Sequence, residues 1–321
     1  MENQDFIDRS GDDLVDEEAG TDASCKKVFN KYRNIGKCVA DGISFVTERF
    51  FHFMRLTLPA SIPLAAFSAI CVYMVFDMSF MLLESKMYAL GFIGTGMVVV
   101  NVLLQSVIFR LVKLHSQNAD LDAVTLTGMY KTIWSDFVKV LGYNILSSVI
   151  LGLVTLVCIL ILSIPENGIE LSFVKYALVA VWLLVAWVFY LPYNVSLPAL
   201  VCGGKTFFPA LWHGYMLGLR KIGKTMALSV LTSLLMGVLF LLLLSPAAII
   251  AMVRHSASYS MVVGDPVTLP DNFAVFSILI LFVASFLSTL LEWVNYVPMS
   301  YLYASFVYDA EEQKKSELPM V

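Results

Sequence analysis

Seven polar or charged side chains interrupt long apolar stretches of this sequence and are its best candidates for chemistry. A polar group inside such a stretch is costly unless it is paired, so each is a candidate for binding a ligand, an ion or a proton. The candidate polar cluster consists of Asn101, Gln105, Arg110, Asn144, Asn194, Glu292 and Asn295.

Arg110 and Glu292 form the sharpest pair within this set. Both come about 20 residues after the start of an apolar run, so they are predicted to lie at similar depth. A guanidinium partner would offset part of the desolvation of the carboxylate, and we expect the two to be within direct or water-bridged reach. The alternative is that both side chains extend to the lipid headgroups.

Motifs of known catalytic chemistry are missing from the sequence. The four histidines form no HExxH motif and no local metal-ligand spacing, and neither GxSxG nor a phosphate-binding glycine loop occurs. We therefore predict no catalytic residue, cofactor or metal, and no nucleic-acid partner. A membrane metalloenzyme is kept as a third hypothesis because three of these histidines fall near the same predicted face: His52, His115 and His213.

The composition places these residues in an integral membrane protein. Of the 321 residues, 59% are hydrophobic and 14% charged, whereas about 25% are charged in soluble domains. The apolar runs are continuous and about 20 residues or longer, which suits helices crossing a hydrocarbon core of about 30 Å. We predict an all-α, polytopic fold with six transmembrane helices, at 57–82, 88–112, 141–163, 173–200, 226–252 and 273–297.

Charge predicts the orientation. Lysine and arginine are concentrated before the first run, between the second and third, between the fourth and fifth, and after the sixth, whereas the other side has Lys86, Lys175 and Arg254. By the positive-inside rule both termini are cytoplasmic, and we expect a bacterial inner membrane. Residues 1–23 carry nine acidic residues against Arg9, which predicts a disordered acidic tail rather than a signal peptide.

An internal repeat is the second prediction about architecture. An amphipathic stretch with aromatic residues precedes each odd-numbered span and is expected to lie in the membrane surface. Steps of 84 and then 85 residues align the basic ends of these stretches, at Arg55, Lys139 and Lys224. This period predicts three units, each a surface helix plus a two-helix hairpin. The alternative to a repeat is that any surface helix before a span has an apolar stripe and a basic end.

Two proline motifs fit the same scheme. Tyr190-Leu191-Pro192 and Tyr296-Val297-Pro298 are predicted to occupy equivalent places in the second hairpin helices of units two and three, with Pro192 and Pro298 as candidate helix kinks. The predicted domain is 24–308, divided into units at about 24–113, 121–203 and 206–308. A cytoplasmic tail is predicted at 309–321.

The runs "LWHGYMLGLRKIGKTMALSVLTSLLMGVLFLLLL" and "YLPYNVSLPALV" are similar to those of uncharacterised six-helix bacterial membrane proteins. In particular, residues 25–308 resemble the membrane domain that precedes the catalytic domain in some glycerophosphodiester phosphodiesterases. No phosphodiesterase domain follows, only "DAEEQKKSELPMV". The resemblance therefore implies a stand-alone membrane module and carries no catalytic residue over.

Two hypotheses about function follow. The first is a non-enzymatic scaffold or accessory module that organises lipid, a protein partner or a second copy of itself. The alternative is a small-solute or lipid transporter or channel that uses a polar cavity in the cytoplasmic half of the bundle. A filled bundle would favour the scaffold. A water-accessible cavity walled by Asn101, Asn144, Glu292 and Arg110 would favour transport.

Overall fold

A computed structural model describes the membrane domain of the chain. The described residues are 29, 31–76, 84–117, 119, 121–163, 169–263 and 269–317. The predicted acidic tail, 1–23, lies outside them, as do parts of the three predicted outer connections.

The described residues form α-helices joined by short connections. In chain order the helices are α1 (Ile35–Thr47), α2 (Phe50–Phe76), α3 (Glu84–Ser116), α4 (Leu126–Thr132), α5 (Trp134–Leu162), α6 (Ile169–Tyr190), α7 (Tyr193–Cys202), α8 (Phe207–Arg220), α9 (Ile222–Val263) and α10 (Phe273–Glu317). No strand occurs within the described ranges. The prediction of an all-α fold is confirmed.

Within the described residues, six segments are long and apolar enough to cross a membrane, as predicted. They are Phe50–Val75, Tyr88–Ser116, Trp134–Leu162, Phe173–Cys202, Ile222–Ala257 and Phe273–Gln313. The predicted ends were wrong by up to several turns, mostly because the helices extend beyond the apolar runs. Hydropathy locates the apolar part of a helix, whereas its backbone hydrogen bonds continue through flanking polar residues.

The first two turns of α2, α5 and α9 contain the three basic residues at which surface helices were predicted to end: Arg55, Lys139 and Lys224. The short helices α1, α4 and α8 end earlier, and one or two residues separate each from the long helix that follows. The apolar stripe of each amphipathic stretch continues into the long helix, so periodicity alone could not locate the interruption.

Side-chain caps fix the starts of two short helices. The Asn34 side chain accepts a hydrogen bond from the Lys37 amide at 2.8 Å, at the start of α1. Thr125 accepts one from the Gly128 amide at 3.2 Å, at the start of α4. Asparagine and threonine are favoured at this position because their side-chain oxygens satisfy amides that lack a partner within the helix.

The last helix, α10, organises the bundle. It packs along α2, α9 and α1, and its second half also contacts α7. At 45 residues it is about 68 Å long, longer than a hydrocarbon core. The boundary predicted at 308 therefore falls inside a helix, and residues 309–317 continue α10.

The N-terminal segment is fixed to the second half of α10. Arg33 is 1% exposed, and its guanidinium donates to the Asp41 carboxylate at 2.7 Å and lies 4.6 Å from the centre of the Tyr301 ring. Its backbone amide donates to the Ser305 hydroxyl at 3.0 Å. Cys38 in α1 is fully buried, and burial raises the pKa of its thiol to about 11. The thiol is therefore protonated at neutral pH.

Both prolines of the Tyr-x-Pro motifs lie against a glycine of a short helix. Pro192 lies at the interruption between α6 and α7, where a Cβ on Gly218 of α8 would come within 2.9 Å of its carbonyl oxygen. Pro298 lies inside α10, and a Cβ on Gly42 of α1 would come within 3.1 Å of its Cγ. Two sites distant in sequence thus share one packing arrangement.

Candidate ligand cavity

A polar cavity of about 500 Å³ lies between α3, α5, α6, α7, α9 and α10. Amide and hydroxyl side chains line much of it, and none of the described residues lining it carries a charge. Its polar lining residues are Gln105, Tyr143, Asn144, Ser147, Tyr190, Asn194, Ser229, Thr232, Ser233, Asn295 and Tyr296. The size is within the range of about 300–1,000 Å³ typical of small-molecule sites.

Gln105 is the centre of a hydrogen-bond network that joins three helices in the cavity wall. Its amide nitrogen donates to the Tyr296 hydroxyl at 2.8 Å, linking α3 to α10. Its amide oxygen accepts from the Asn144 amide at 2.9 Å, linking α3 to α5. Asn101, one turn away on α3, lies 3.4 Å from the same Gln105 nitrogen. Gln105 is 5% exposed, so these partners replace water that it cannot reach.

Tyrosines form the wall between α5 and the α6–α7 segment. The Tyr143 and Tyr193 rings are stacked with centres 4.5 Å apart, and each hydroxyl donates to the other residue's backbone carbonyl, at 3.3 and 3.0 Å. The Tyr190 hydroxyl lies 2.7 Å from the Ser147 hydroxyl. Because Pro192 has no amide hydrogen, α6 ends here, and the interruption is bridged by a bond from the Asn194 amide to the Leu191 carbonyl.

Positions separated by the predicted repeat period line the cavity together. Four pairs of lining residues are separated by 85 positions: Gln105 and Tyr190, Phe109 and Asn194, Asn144 and Ser229, and Ser147 and Thr232. The last two pairs match the predicted step of 85 between units two and three, whereas the first two differ by one residue from the predicted step of 84 between units one and two. Tyr190 and Tyr296, the first residues of the two Tyr-x-Pro motifs, also line it. Residues of all three predicted units therefore line the cavity, although α2 of the first unit is not among its lining helices.

The structure brings most of the predicted polar cluster together. Four of its members line the cavity: Gln105, Asn144, Asn194 and Asn295. A fifth member, Asn101, contacts Gln105. Glu292 is not a lining residue, although it lies one turn before Asn295 and Tyr296 on the same side of α10. Its Oε2 atom is buried and has no hydrogen-bond partner among the described residues.

The predicted direct pairing of Arg110 with Glu292 is wrong. The Arg110 guanidinium instead donates to the Asp136 carboxylate at 3.0 Å, and Lys113 donates to the other oxygen of that carboxylate at 3.0 Å. Arg110 and Lys113 lie one turn apart on α3, so they face the same part of α5. The partner of Arg110 is therefore a residue of α5 and not of α10. Hydropathy predicts how deep a residue lies in the membrane but not which helix it faces.

Asp136 is the residue that sequence reasoning missed. It was assigned to a surface helix, but it lies in the first turn of α5 and is 0% exposed. A signal was present: Asp136 lies three residues after Ile133 and four before Val140, both of which are buried. An acidic residue on the apolar stripe of a helix needs a cationic partner, and a search for one on neighbouring segments would have found Arg110 and Lys113.

The histidines do not assemble into a metal centre in the described ranges. No group of three or more His, Cys, Asp or Glu side chains there could hold a metal ion. His115 packs among aromatic rings, with its ring centre 4.8 Å from that of Phe45. Aromatic packing accounts for the position of this histidine.

An apolar groove of about 890 Å³ adjoins the polar cavity. It lies between α5, α6 and α8 and is lined almost entirely by aliphatic and aromatic side chains. Three residues line both spaces: Leu151, Trp187 and Tyr190.

The fold and the cavity define a polytopic α-helical membrane protein with an uncharged, hydrogen-bonding site inside its bundle. No protein-family model matches the chain. No curated protein and no solved structure is significantly similar to it.

Proposed function

We propose that the protein binds an uncharged molecule or lipid headgroup, rich in hydroxyl or amide groups, in the polar cavity and carries it within the membrane. The supporting observation is the cavity itself, with neutral hydrogen-bonding side chains from several helices and no charged lining residue in the described ranges. A charged ligand buried there would lack a counter-charge, whereas a hydroxyl or amide finds donors and acceptors on several sides.

This proposal favours the transport hypothesis over the scaffold. A scaffold requires only a filled bundle, in which buried amides need no space beside them. Here Asn194 and Asn295 line a cavity but have no side-chain hydrogen bond to the described residues that would account for their position. The cavity differs from the one predicted, because neither Arg110 nor Glu292 lines it.

We further propose the membrane arrangement in which this function operates. The short helices α1, α4 and α8 lie in the membrane surface, and the three helical units are copies of one ancestral element. The supporting observation is that two pairs of lining residues in units two and three are separated by the predicted step of 85 residues. This arrangement requires membrane lipids as partners. It agrees with the resemblance of residues 25–308 to the membrane domain of some glycerophosphodiester phosphodiesterases.

Ligand binding predicts a loss of affinity when the cavity wall is made apolar. Monoolein, an uncharged lipid with headgroup hydroxyls, is expected to bind the purified protein saturably by native mass spectrometry in mild detergent. Oleoyl lysophosphatidate, an anionic lipid with the same chain, is expected to bind more weakly. Asn144→Leu removes a lining amide and should weaken monoolein binding about tenfold, the equivalent of about one hydrogen bond.

Ser148→Leu is the matched control for this substitution. Ser148 follows the lining residue Ser147 on α5, is exposed, and does not line the cavity. It should leave the affinity unchanged within about twofold, a difference of less than about 0.5 kcal/mol. Equal affinities of Asn144→Leu, Ser148→Leu and the unmodified protein for monoolein, or non-saturable binding in all three, would rule out a ligand site in this cavity.

The orientation is a separate prediction, with both termini in the cytoplasm of a bacterium and the protein in its inner membrane. Single cysteines at positions 84, 168 and 262 should react with an impermeant maleimide added outside intact cells. Cysteines at positions 120, 206 and 314 should react only after the membrane is opened. Labelling of position 120 or 206 from outside would contradict this orientation.

A further inference from the structure

The apolar groove is a surface feature that the proposed function does not use. It runs beside the polar cavity and is open to the exterior of the bundle, since several of its lining side chains are substantially exposed, including Phe189 at 60% and Trp212 at 61%. Most of its lining residues belong to the apolar spans of α5 and α6, so an acyl chain or an apolar protein surface would fill the groove in a membrane.

We propose that the groove holds the hydrocarbon tail of the same molecule whose headgroup occupies the cavity, so that the ligand is an uncharged amphiphile. The inference rests on the proposed function, because it takes the cavity as the headgroup site. It adds the chemical class of the ligand and the path along which that ligand lies.

The cavity and the groove share lining residues at the point where the lining changes from polar to apolar. Tyr190 lines both spaces, and its hydroxyl is 2.7 Å from the Ser147 hydroxyl, a residue that lines the cavity. Its ring extends the apolar lining of the groove. Tyrosine has an apolar body and a polar tip, so it suits the junction between the headgroup and the tail of an amphiphile.

The stacked tyrosines make the same transition beside it. Tyr143 lines the cavity, and Tyr193 lines the groove. Their reciprocal hydrogen bonds to backbone carbonyls hold both rings in place and satisfy both hydroxyls. The groove therefore begins where the polar lining ends, with no polar group of this pair left for a headgroup.

Indoles give the groove a fixed shape farther from the cavity. The Trp182 indole nitrogen donates to the Val154 carbonyl at 3.3 Å, which orients the ring and satisfies its polar atom. On the opposite side, the Trp212 and Tyr215 rings of α8 are stacked with centres 6.1 Å apart. Ala186 is the smallest residue lining the groove, so a larger side chain at this position would reduce the space for a tail.

Continuity with the cavity favours a lipid tail over a protein helix as the occupant. A helix of a second copy, about 10 Å wide with its side chains, could cover the groove but would leave the cavity empty. A single molecule with a polar head and an apolar tail fills both spaces where their linings meet, at Leu151, Trp187 and Tyr190. The tail has to lie in the groove for the headgroup to reach the cavity, so both spaces must be open for the ligand to bind.

Photo-crosslinking tests where the tail lies. A monoolein analogue with a diazirine in mid-chain is bound to the full-length protein in mild detergent, irradiated, and mapped by peptide mass spectrometry. Crosslinks are expected on the groove-facing residues of α5, α6 and α8, and excess monoolein should abolish them. Ala186→Trp fills the groove and should weaken monoolein binding about tenfold, which corresponds to about 1.4 kcal/mol.

Ala180→Trp is the matched control, because Ala180 is an exposed residue on the same helix that does not line the groove. It should leave both the affinity and the crosslink positions unchanged. Saturable binding that depends on Asn144, combined with crosslinks outside the groove or with equal affinities of the two tryptophan variants, would overturn the tail position and leave the proposed function standing. A dimer in native mass spectra that Ala186→Trp dissociates and Ala180→Trp does not would instead indicate a second copy in the groove and would overturn the tail position. Absence of saturable binding would overturn both proposals.

Discussion

Replacing Asp136 by asparagine is expected to lower the free energy of unfolding by about 3 kcal/mol, since removal of one partner from a buried ion pair leaves the remaining charge uncompensated. Asp136 is fully buried, and both Arg110 and Lys113 lie 3.0 Å from its carboxylate oxygens. The two cations are each 21% exposed, so water relieves part of the cost, and the loss falls at the lower end of the range for such pairs. Titration of the purified protein with dodecyl sulfate in mixed micelles measures this free energy.

An exposed ion pair of the same chain provides the control. Asp122 lies 3.2 Å from Arg49, and the two side chains are 62% and 38% exposed. Asp122→Asn should change the free energy of unfolding by less than about 1 kcal/mol, because exposed pairs contribute little. If Asp136→Asn is no more destabilising than Asp122→Asn, the buried triad does not hold α3 against α5.

The triad also predicts non-additive losses. Lys113→Met made in addition to Asp136→Asn should cost less than Lys113→Met alone, because the asparagine has already removed the attraction. A coupling energy above about 1 kcal/mol is expected for partners in direct contact. Additive losses would mean that Lys113 contacts the carboxylate without stabilising the fold.

Replacing Gly214 by alanine is expected to have the second largest effect, a loss of about 2 kcal/mol, because a methyl group has no room there. A Cβ at this position would lie 2.6 Å from the Ser196 Cα and 2.7 Å from the Ala199 Cβ. Both contacts are with α7 near its backbone, so neither can be relieved by rotating a long side chain. Helices α7 and α8 would have to separate, and the same dodecyl sulfate titration should report the destabilisation.

A glycine in open surroundings reverses the expected sign. Gly237 lies in the middle of α9, where an added Cβ has no heavy atom within 4 Å apart from its helix and chain neighbours. Gly237→Ala should be neutral or stabilise the protein by up to about 1 kcal/mol, because alanine is the better helix former. Equal effects of the two substitutions would show that close approach of α7 and α8 is not needed for stability.

Helix packing around the Tyr-x-Pro motifs links stability to the proposed ligand site. Gly218 of α8 fits against Pro192, two residues after Tyr190, and Tyr190 lines both the cavity and the groove. The interruption of the helix at Pro192 therefore places a tyrosine hydroxyl at the cavity and positions α8 as one side of the groove. A substitution that displaces α8 should also disturb the binding of a tail.

Local composition determined a large part of this fold. The six spans follow from apolar runs of membrane length, since a backbone in hydrocarbon must satisfy its own hydrogen bonds. The same rule identified polar side chains within the apolar runs as candidate site residues. Four of them line one cavity: Gln105, Asn144, Asn194 and Asn295. These inferences depend on each residue and its immediate neighbours along the chain.

Partners on other helices were decided by the tertiary structure. The predicted depth in the membrane is similar for Arg110 and Glu292. Which residues face each other also depends on the rotation of each helix about its axis, and in the structure Arg110 faces Asp136. The close fit of Gly214 to Ser196 depends likewise on how α7 and α8 approach. Hydropathy reports transfer free energy along a single chain, whereas pairing depends on the packing of side chains between helices. The amino-acid sequence by itself thus determined the spans and the polar candidates, and only the packed bundle determined the ion triad, the cavity and the groove.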